Sequence, residues 1–367
     1  MKLISDEHPL VIVVGSGGVG KTTLAASMGV LSARSGRDTL VMTFDPSVRL
    51  KDALGVGEEA RLREVQVPFE APGTLHASLL DARQTFDRLV ERYAPDEASR
   101  KRILENRFYQ HLSGALGGIL EYMAVERLFE VAAEGRHGQI ILDTPPTRQA
   151  LDFLEAPARI VGFLESGALQ VALKPWFDEE GRLNAASRWG PFGKRAERFL
   201  DEVVGLDLLR DMAEFFQAFA PLYEGFRERA QAVEQLLRSP KTRFVLVSGP
   251  GEERIPDTLF FARRLEQAGF HLGPVVVNRV HPRFLIEGEV PGSDDPCRPS
   301  GWELLTWLGE RDRRGLVELA SLLSREQPLI DIPLLPEEPT DLLSLEALGK
   351  QVEERLAEWE RYVSRSS

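Results

Sequence analysis

Gly15, Gly20, Lys21 and Thr22 stand at the spacing G-x-x-x-x-G-K-[ST], and these residue types in that order suit one task, the holding of a phosphate chain. Glycines let successive backbone N–H groups curl around an anion with no side chain in the way. A helix that starts at the lysine points its positive end at the same place. Lys21 supplies a point charge within reach of the β- and γ-phosphates, and the Thr22 hydroxyl suits Mg²⁺. Gly17, Gly18 and Val19 form the body of the loop, and Thr23 continues into the helix.

The same stretch satisfies a second pattern. Gly15, Gly17 and Gly20 fit G-x-G-x-x-G, the dinucleotide fingerprint, and Asp45 lies at the end of the next expected strand, where that fold keeps its ribose acid. The dinucleotide pattern does not require Gly20, Lys21, Thr22 and Thr23 in succession. The phosphate loop does, and it is the preferred reading. A nicotinamide dehydrogenase stays a distant alternative.

Two acids complete the candidate chemistry. Asp45 follows the apolar run Thr39 to Phe44 and precedes Pro46, which stops strand pairing and leaves the acid on a loop. Asp143 follows Gln139 to Leu142 and leads into Thr144, Pro145, Pro146 and Thr147. A short apolar strand ending in Asp is the second half of a phosphate-loop nucleotidase, its carboxylate holding Mg²⁺ opposite Thr22. Acids at strand ends sit where ligands bind in open α/β sheets.

The elements that must position these residues can be read from periodicity. Val11 to Val14 is a buried strand, and the run from Leu24 to Ala33 is a helix that stops at Ser35, Gly36 and Arg37. Residues 75–133 read as helical, too long for one crossover helix, and so as an inserted helical layer. A second helical stretch covers residues 158–239. In it Leu208, Met212, Phe215, Phe219, Leu222 and Phe226 recur at helical steps, interrupted at Pro221. Phe163, Leu164, Leu169, Trp176, Phe177 and Trp189 add bulk. This face is either the core of a helical subdomain or a groove for an apolar partner segment. The α/β pattern then resumes with strands at 243–248, 273–280 and 329–333, helices at 255–269, 303–324 and 345–363, and a Pro/Gly/Asp-rich loop at 282–301. The expected fold is α/β: a P-loop NTPase domain over residues 1–367, with a mostly parallel sheet flanked by helices and a helical subdomain from the insertions at about 75–133 and 158–239.

Composition narrows the class. The chain has 367 residues, 43% hydrophobic and 28% charged, as in a globular protein. Its net charge of −12 argues against a nucleic-acid-binding surface. The one cysteine, Cys297, excludes an internal disulfide framework and a Cys-x-x-Cys zinc site, and fits a reducing compartment. The six histidines show no metal-ligand spacing. No signal peptide and no run of about 18 apolar residues is found, so a cytoplasmic location without a transmembrane segment is expected.

The order of these motifs carries a family resemblance. Residues 17–23, Asp45 and Pro46, residues 143–147, a strand-end Asn278 and residues 333–338 together resemble the ArsA-type ATPases, the arsenite-pump ATPases and the ATPases that deliver tail-anchored membrane proteins. Residues 143–154 reproduce the pattern of a bacterial ArsA-like branch. The resemblance implies an ATP hydrolase that binds ATP and Mg²⁺. Asp45 would orient or deprotonate the attacking water, Asp143 would hold Mg²⁺ through water, Asn278 would read adenine, and Pro336 and Glu337 would lie in the loop that closes over the base. It also implies a nucleotide-gated homodimer, or a heterodimer with a paralogue, whose helical insertions bind an apolar protein segment.

Three departures accompany it. Ser16 stands where this class carries a signature lysine that reaches across the dimer; Arg49 or Arg148 are candidates to substitute for its charge. The paired zinc cysteines and the three-cysteine metalloid site are both missing, which argues against arsenite pumping by that chemistry. Rival readings are a partition- or placement-type ATPase and a metabolic phosphate-loop kinase or ligase. The final helix is mixed in charge, with Glu346, Glu353, Glu354, Glu358 and Glu360, whereas a membrane-binding helix is usually basic.

Overall fold

A computed structural model describes residues 3–44, 49–112, 119–145, 154–159, 162, 211, 214–215, 218–283 and 301–366. The chain divides into two compact units. One comprises Met1–Leu80, Glu130–Leu151 and Leu236–Ser367; the other comprises Asp81–Phe129 and Asp152–Gln235.

The first unit is built on an eight-stranded sheet. Its strands are β1 (Leu10–Gly15), β2 (Thr39–Thr43), β3 (Val65–Gln66), β4 (Leu75–Leu79), β5 (Gln139–Asp143), β6 (Thr242–Ser248), β7 (Leu272–Val280) and β8 (Leu329–Pro333). They lie in the order β3-β4-β2-β5-β1-β6-β7-β8. Every pairing is parallel except β3 with β4. The near-continuous Val, Ile and Leu of β1, β2 and β5 are buried throughout, as expected for strands covered on both faces. From β1 the chain moves to one side of the sheet, and after β5 it crosses to the other. The crevice at the carboxyl ends of β1 and its neighbours is therefore where a ligand is expected. Register sets what meets there: Asp143 is abreast of Val13 on one side and of Thr43 on the other.

The helical reading of residues 75–133 is corrected at its start. Leu75–Leu79 is β4, paired in parallel with β2. Helix begins only with α3 (Ala82–Tyr93), capped by the Asp81 carboxylate accepting from Gln84 N at 3.0 Å. Helical and strand periods cannot be told apart over five residues that run directly into an amphipathic helix. Around the sheet, α1 (Lys21–Arg34) is buried over most of its length. Its last residue, Arg34, donates to Glu346 of the final helix at 2.8 Å. Among the described residues no helix is long and apolar enough to cross a membrane.

An acid-sensitive cluster ties this sheet's edge together. Glu64, just before β3, accepts two hydrogen bonds of 3.0 Å from Arg136 and one of 3.1 Å from His137, which precede β5. The hydrogen bond from His137, with those from Arg136, outweighs burial and holds the Glu64 carboxyl down to about 2. Its folded pKa lies below its unfolded one, so the stabilisation is present above about pH 4.5 and is lost as pH falls toward 2. After allowance for solvent screening around the half-exposed Arg136 it amounts to about 2 kcal/mol. Glu64→Gln should lower unfolding free energy at pH 7 by about that amount and flatten its fall between about pH 4.5 and 2. Denaturant titrations across that range check this, and a variant with the parental acid limb would remove Glu64 as its source.

The second unit contains α3, α4 (Glu97–Leu104), α5 (Arg107–Leu112), most of α6 (Ile119–Glu134) and most of α7 (Tyr223–Arg238). Its core is aromatic. Phe86 packs on Tyr109 at 4.7 Å between ring centroids, and Phe219 meets Phe226 edge-on at 4.7 Å. The described part of the expected apolar face, Phe215, Phe219, Leu222 and Phe226, is buried in this core. Pro221 sits in a 3-10 turn, Ala220–Leu222, just before α7. Leu208, Met212, Phe163, Leu164, Leu169, Trp176, Phe177 and Trp189 lie outside the described residues. Glu126 is fully buried, paired with Arg229, and accepts from the Tyr122 hydroxyl at 3.0 Å. Burial, reinforced by the Glu126 charge, pushes the Tyr122 hydroxyl far above its usual range.

Candidate functional site

The chain turns out of β1 at Gly15 and curls to Gly20, where α1 begins. Gly15 has φ +148°, and a Cβ there would stand 2.0 Å from the Val247 carbonyl oxygen of β6. Gly20 has φ +95°, and a Cβ there would lie 2.4 Å from Asn278 Nδ2. Both positions need glycine for backbone conformation and for space. No side chain caps α1 at Gly20 and no acid occupies its first turn. The positive end of the helix thus carries no competing carboxylate of its own.

A cleft of about 490 Å³ opens at this point. It is lined by Gly17, Gly18, Gly20, Lys21, Thr22 and Thr23, by Asp52 and Ala53 of α2 (Arg49–Leu54), by Thr144 and Arg279, and by Glu338, Pro339 and Thr340. Lys21 is 7% exposed, and its Nζ donates to the Ser16 carbonyl at 2.9 Å. The ammonium is thereby held across the loop. Thr22 Oγ1 donates to Asp143 Oδ2 at 2.6 Å, and Thr43 Oγ1 donates to the same oxygen at 3.0 Å. Thr144, next in the chain, donates from Oγ1 to the Val13 carbonyl at 2.8 Å and so fixes the exit of β5 against β1. A hydroxyl and a carboxylate oxygen at one point are hard donors of the kind Mg²⁺ takes, with phosphate and water filling its other positions. Among the described residues no group of three or more His, Cys, Asp or Glu could hold a metal ion. Such an ion would therefore depend on the ligand's own oxygens.

The expected site residues are placed as follows. The loop glycines, Lys21, Thr22 and Thr23 line the cleft, and Asp143 stands behind Thr22. Val19 is buried, and its carbonyl accepts from Asn278 Nδ2 at 2.9 Å. Asn278 thus supports the loop from beneath. From the last loop the cleft takes Glu338, Pro339 and Thr340, the residues that follow Pro336 and Glu337. Ser16 is buried and contributes its carbonyl. Asp45 and Arg148 lie outside the described residues, as does the side chain of Arg49. Phe44, the residue before Asp45, donates its backbone N–H to the Asp143 carbonyl at 3.4 Å.

Sequence reading gave no site role to Thr43, Asp52, Thr144, Arg279 and Glu338, although Thr144 and Glu338 lie within the motifs at 143–147 and 333–338. Thr43 and Thr144 flank the two expected acids, so a reading that weighed hydroxyls beside strand-end acids would have found them. Asp52 lies seven positions after Asp45, on the helix that follows it. Arg279 and Glu338 adjoin Asn278 and Glu337 but carry no spacing signal of their own.

Comparison with known proteins supplies the family. A family model described as anion-transporting ATPase matches residues 8–185. ATPase get3 of Neurospora crassa is 30% identical over 358 residues, covering 96% of this chain and 93% of that protein. ATPase GET3B of Arabidopsis thaliana is 26% identical over 345 residues, covering 87% and 74%. An Aquifex aeolicus protein whose name carries the words arsenical pump-driving ATPase is 25% identical over 354 residues, covering 94% and 78%. With a phosphate loop at the mouth of a mostly parallel sheet and a relative this similar over nearly its whole length, the chain belongs to the ArsA-type, anion-transporting ATPase family and is a nucleotide-binding ATP hydrolase.

Proposed function

We propose that the protein is a Mg²⁺-dependent ATPase that uses ATP binding and hydrolysis as a conformational switch for a protein partner. The observation that carries this reading is the 2.6 Å contact of Thr22 Oγ1 with Asp143 Oδ2. It brings together, from residues 121 positions apart, the two protein oxygens suited to a nucleotide-borne Mg²⁺. The ion, when bound, would neutralise charge on the β- and γ-phosphates.

The chain's own groups take the remaining roles. The amides of Gly17, Gly18, Val19 and Gly20 and the ammonium of Lys21 bind the phosphates. Asp45 orients the attacking water and takes its proton, the water oxygen bonds to the γ-phosphorus in line, and the bond to the ADP oxygen breaks. Asn278, Pro336 and Glu337 border the base. Positioning and charge neutralisation supply most of the rate. Residues 1–367 form one ATPase domain working in the cytoplasm. Its two insertions, the first following β4 and the second following β5, make a helical subdomain for an apolar partner segment. Phe215, Phe219, Leu222 and Phe226 serve that subdomain as core, so any partner groove is formed by other residues. The switch works through a dimer closed by ATP.

Two measurements on the purified protein test this. Phosphate release from ATP should need Mg²⁺ and stop in EDTA. In sedimentation, a dimer should appear or tighten only with a non-hydrolysable Mg-ATP analogue, compared with no nucleotide and with Mg-ADP. Equal hydrolysis in EDTA would remove the Mg²⁺ role, and one unchanging species in all three states would remove the switch.

A further inference from the structure

An anion cradle works only if its backbone N–H groups face the anion and its carbonyls face away. Glycine peptides turn over easily, so a loop of glycines does not hold that orientation by itself. Gly18 has φ +76°, and nothing lies within 4 Å of where its Cβ would be. The loop therefore needs outside partners on its carbonyls, and β7 provides two. Asn278 Nδ2 donates to Val19 O at 2.9 Å, and the Arg279 guanidinium donates to Gly18 O at 3.3 Å. Two consecutive loop carbonyls are thus held by two consecutive residues at one strand end.

The backbone is bent to make this possible. Arg279 has φ +64°, and it is the one non-glycine residue with positive φ among the described residues. A non-glycine residue in this region persists where its surroundings impose it, and such residues cluster at functional sites. Asn278 Oδ1 accepts from the Arg279 N–H at 3.0 Å and fixes the turn. The guanidinium then reaches a third element: it donates to Glu338 Oε1 at 2.5 Å, in the segment after β8. Both side chains are exposed, 44% and 78%, so this ion pair contributes little to folding stability. Its place is what distinguishes it, since both partners line the nucleotide cleft. Without Arg279, Glu338 would be an unneutralised carboxylate facing a polyphosphate.

We propose that Arg279 is a positioning residue for the nucleotide: its guanidinium holds the phosphate loop at Gly18 and, through Glu338, joins that loop to the segment after β8, so that the loop's amides face the bound phosphates. This inference rests on the reading of the cleft as the ATP site. Glu338 acts through Arg279. The effect is on binding, equal in ground and transition states.

The test is titration of the full-length protein with Mg and a fluorescent ATP derivative, together with steady-state hydrolysis of ATP. Arg279→Asn keeps a residue that tolerates positive φ while removing both side-chain contacts, and Arg279→Gly relieves the backbone altogether. Both should raise Kd and KM about tenfold with kcat within about twofold of the parent, the mark of lost uniform binding. Glu338→Gln should raise Kd about threefold, and the double variant Arg279→Asn with Glu338→Gln should bind no more weakly than Arg279→Asn alone. Parental affinity in both Arg279 variants, or effects of the two sites that multiply, would overturn the proposal. Lys21→Ala separates this inference from the site reading. Binding lost in Lys21→Ala but kept in Arg279→Asn leaves the site standing and removes the role of Arg279. Binding kept in Lys21→Ala removes both.

Discussion

Lys21→Ala is expected to weaken ATP binding at least about 100-fold and to reduce kcat/KM by about three orders of magnitude. The size follows from where the ammonium is held. Lys21 is 7% exposed at the start of α1, with Nζ 2.9 Å from the Ser16 carbonyl. A charge in so dry a place interacts strongly with a phosphate, and charge-assisted hydrogen bonds of this kind are each worth about 1.5–3 kcal/mol. Two such bonds, to the β- and γ-phosphates, account for the expected loss. Lys21→Arg should rescue little, because the planar fork cannot act as a compact point charge. In the absence of nucleotide the alanine variant loses the bond to Ser16 and the lysine stem's packing, and its thermal midpoint should stay within a few degrees of the parent. Equilibrium binding of ATP and ADP by calorimetry checks the prediction. An ATP affinity equal to that of the parent protein would refute the phosphate-loop assignment.

What could be read from the chain before folding divides along physical lines. The phosphate loop is local: its strand, turn and helix start are contiguous, and each residue type is dictated by the ligand's needs. The strands β1, β2, β5, β6, β7 and β8 were legible because buried parallel strands are continuous apolar runs that end at turn residues, whereas the two-residue antiparallel β3 is too short to show a pattern. Leu75–Leu79 was not legible either, because five residues with no breaker before an amphipathic helix look like its first turn. The partners of Asp143 depend on register. Thr43 meets it from 100 positions away only because β2 pairs with β5 and places the two residues abreast. No local pattern encodes that pairing.

Periodicity has a second limit, visible in the helical unit. Steps of three and four from Phe215 to Phe226 say that a face is buried, not what buries it. Within the unit the answer is intramolecular: Phe86, Tyr109 and Met123, far off in sequence, fill the same core. The loop supports were hidden for a related reason. Arg279 and Glu338 are ordinary charged residues until the parallel crossover from β7 to β8 brings both to the phosphate loop. Asn278 has an expected role from the resemblance and an observed one in the fold. Its resemblance-based role is toward adenine, while in the fold its amide also supports Val19 and Arg279.

The second large effect concerns Asp143, where stability and activity should move in opposite directions. Asp143 is 1% exposed, and its Oδ2 receives hydroxyl donors from Thr22 at 2.6 Å and Thr43 at 3.0 Å. Burying a carboxylate is costly, and functional sites tolerate such costs. In Asp143→Asn the amide keeps the shape of the side chain. Both threonine hydroxyls can rotate to suit either an acceptor oxygen or a donor nitrogen, so the two hydrogen bonds at the Oδ2 position can persist. The nucleotide-free variant should therefore unfold at the parental temperature or a few degrees above it. Activity should fall, because a neutral amide cannot help hold Mg²⁺ at the phosphates. With several kcal/mol of charge neutralisation lost, kcat should drop about 10²- to 10³-fold. Affinity for ATP in EDTA should be unchanged, since Lys21 and the loop amides remain, and the tightening that Mg²⁺ gives the parent protein should disappear. Thr22→Val, which removes the other oxygen, should reproduce that loss, and its pairing with Asp143→Asn should add little because both disable one ion. Thermal melts, Mg²⁺ titrations of nucleotide affinity and single-turnover hydrolysis together form the test. Parental hydrolysis in Asp143→Asn would show that this carboxylate is structural. A large drop in melting temperature with no change in Mg²⁺ response would assign it to the fold, holding Thr22 and Thr43 in register.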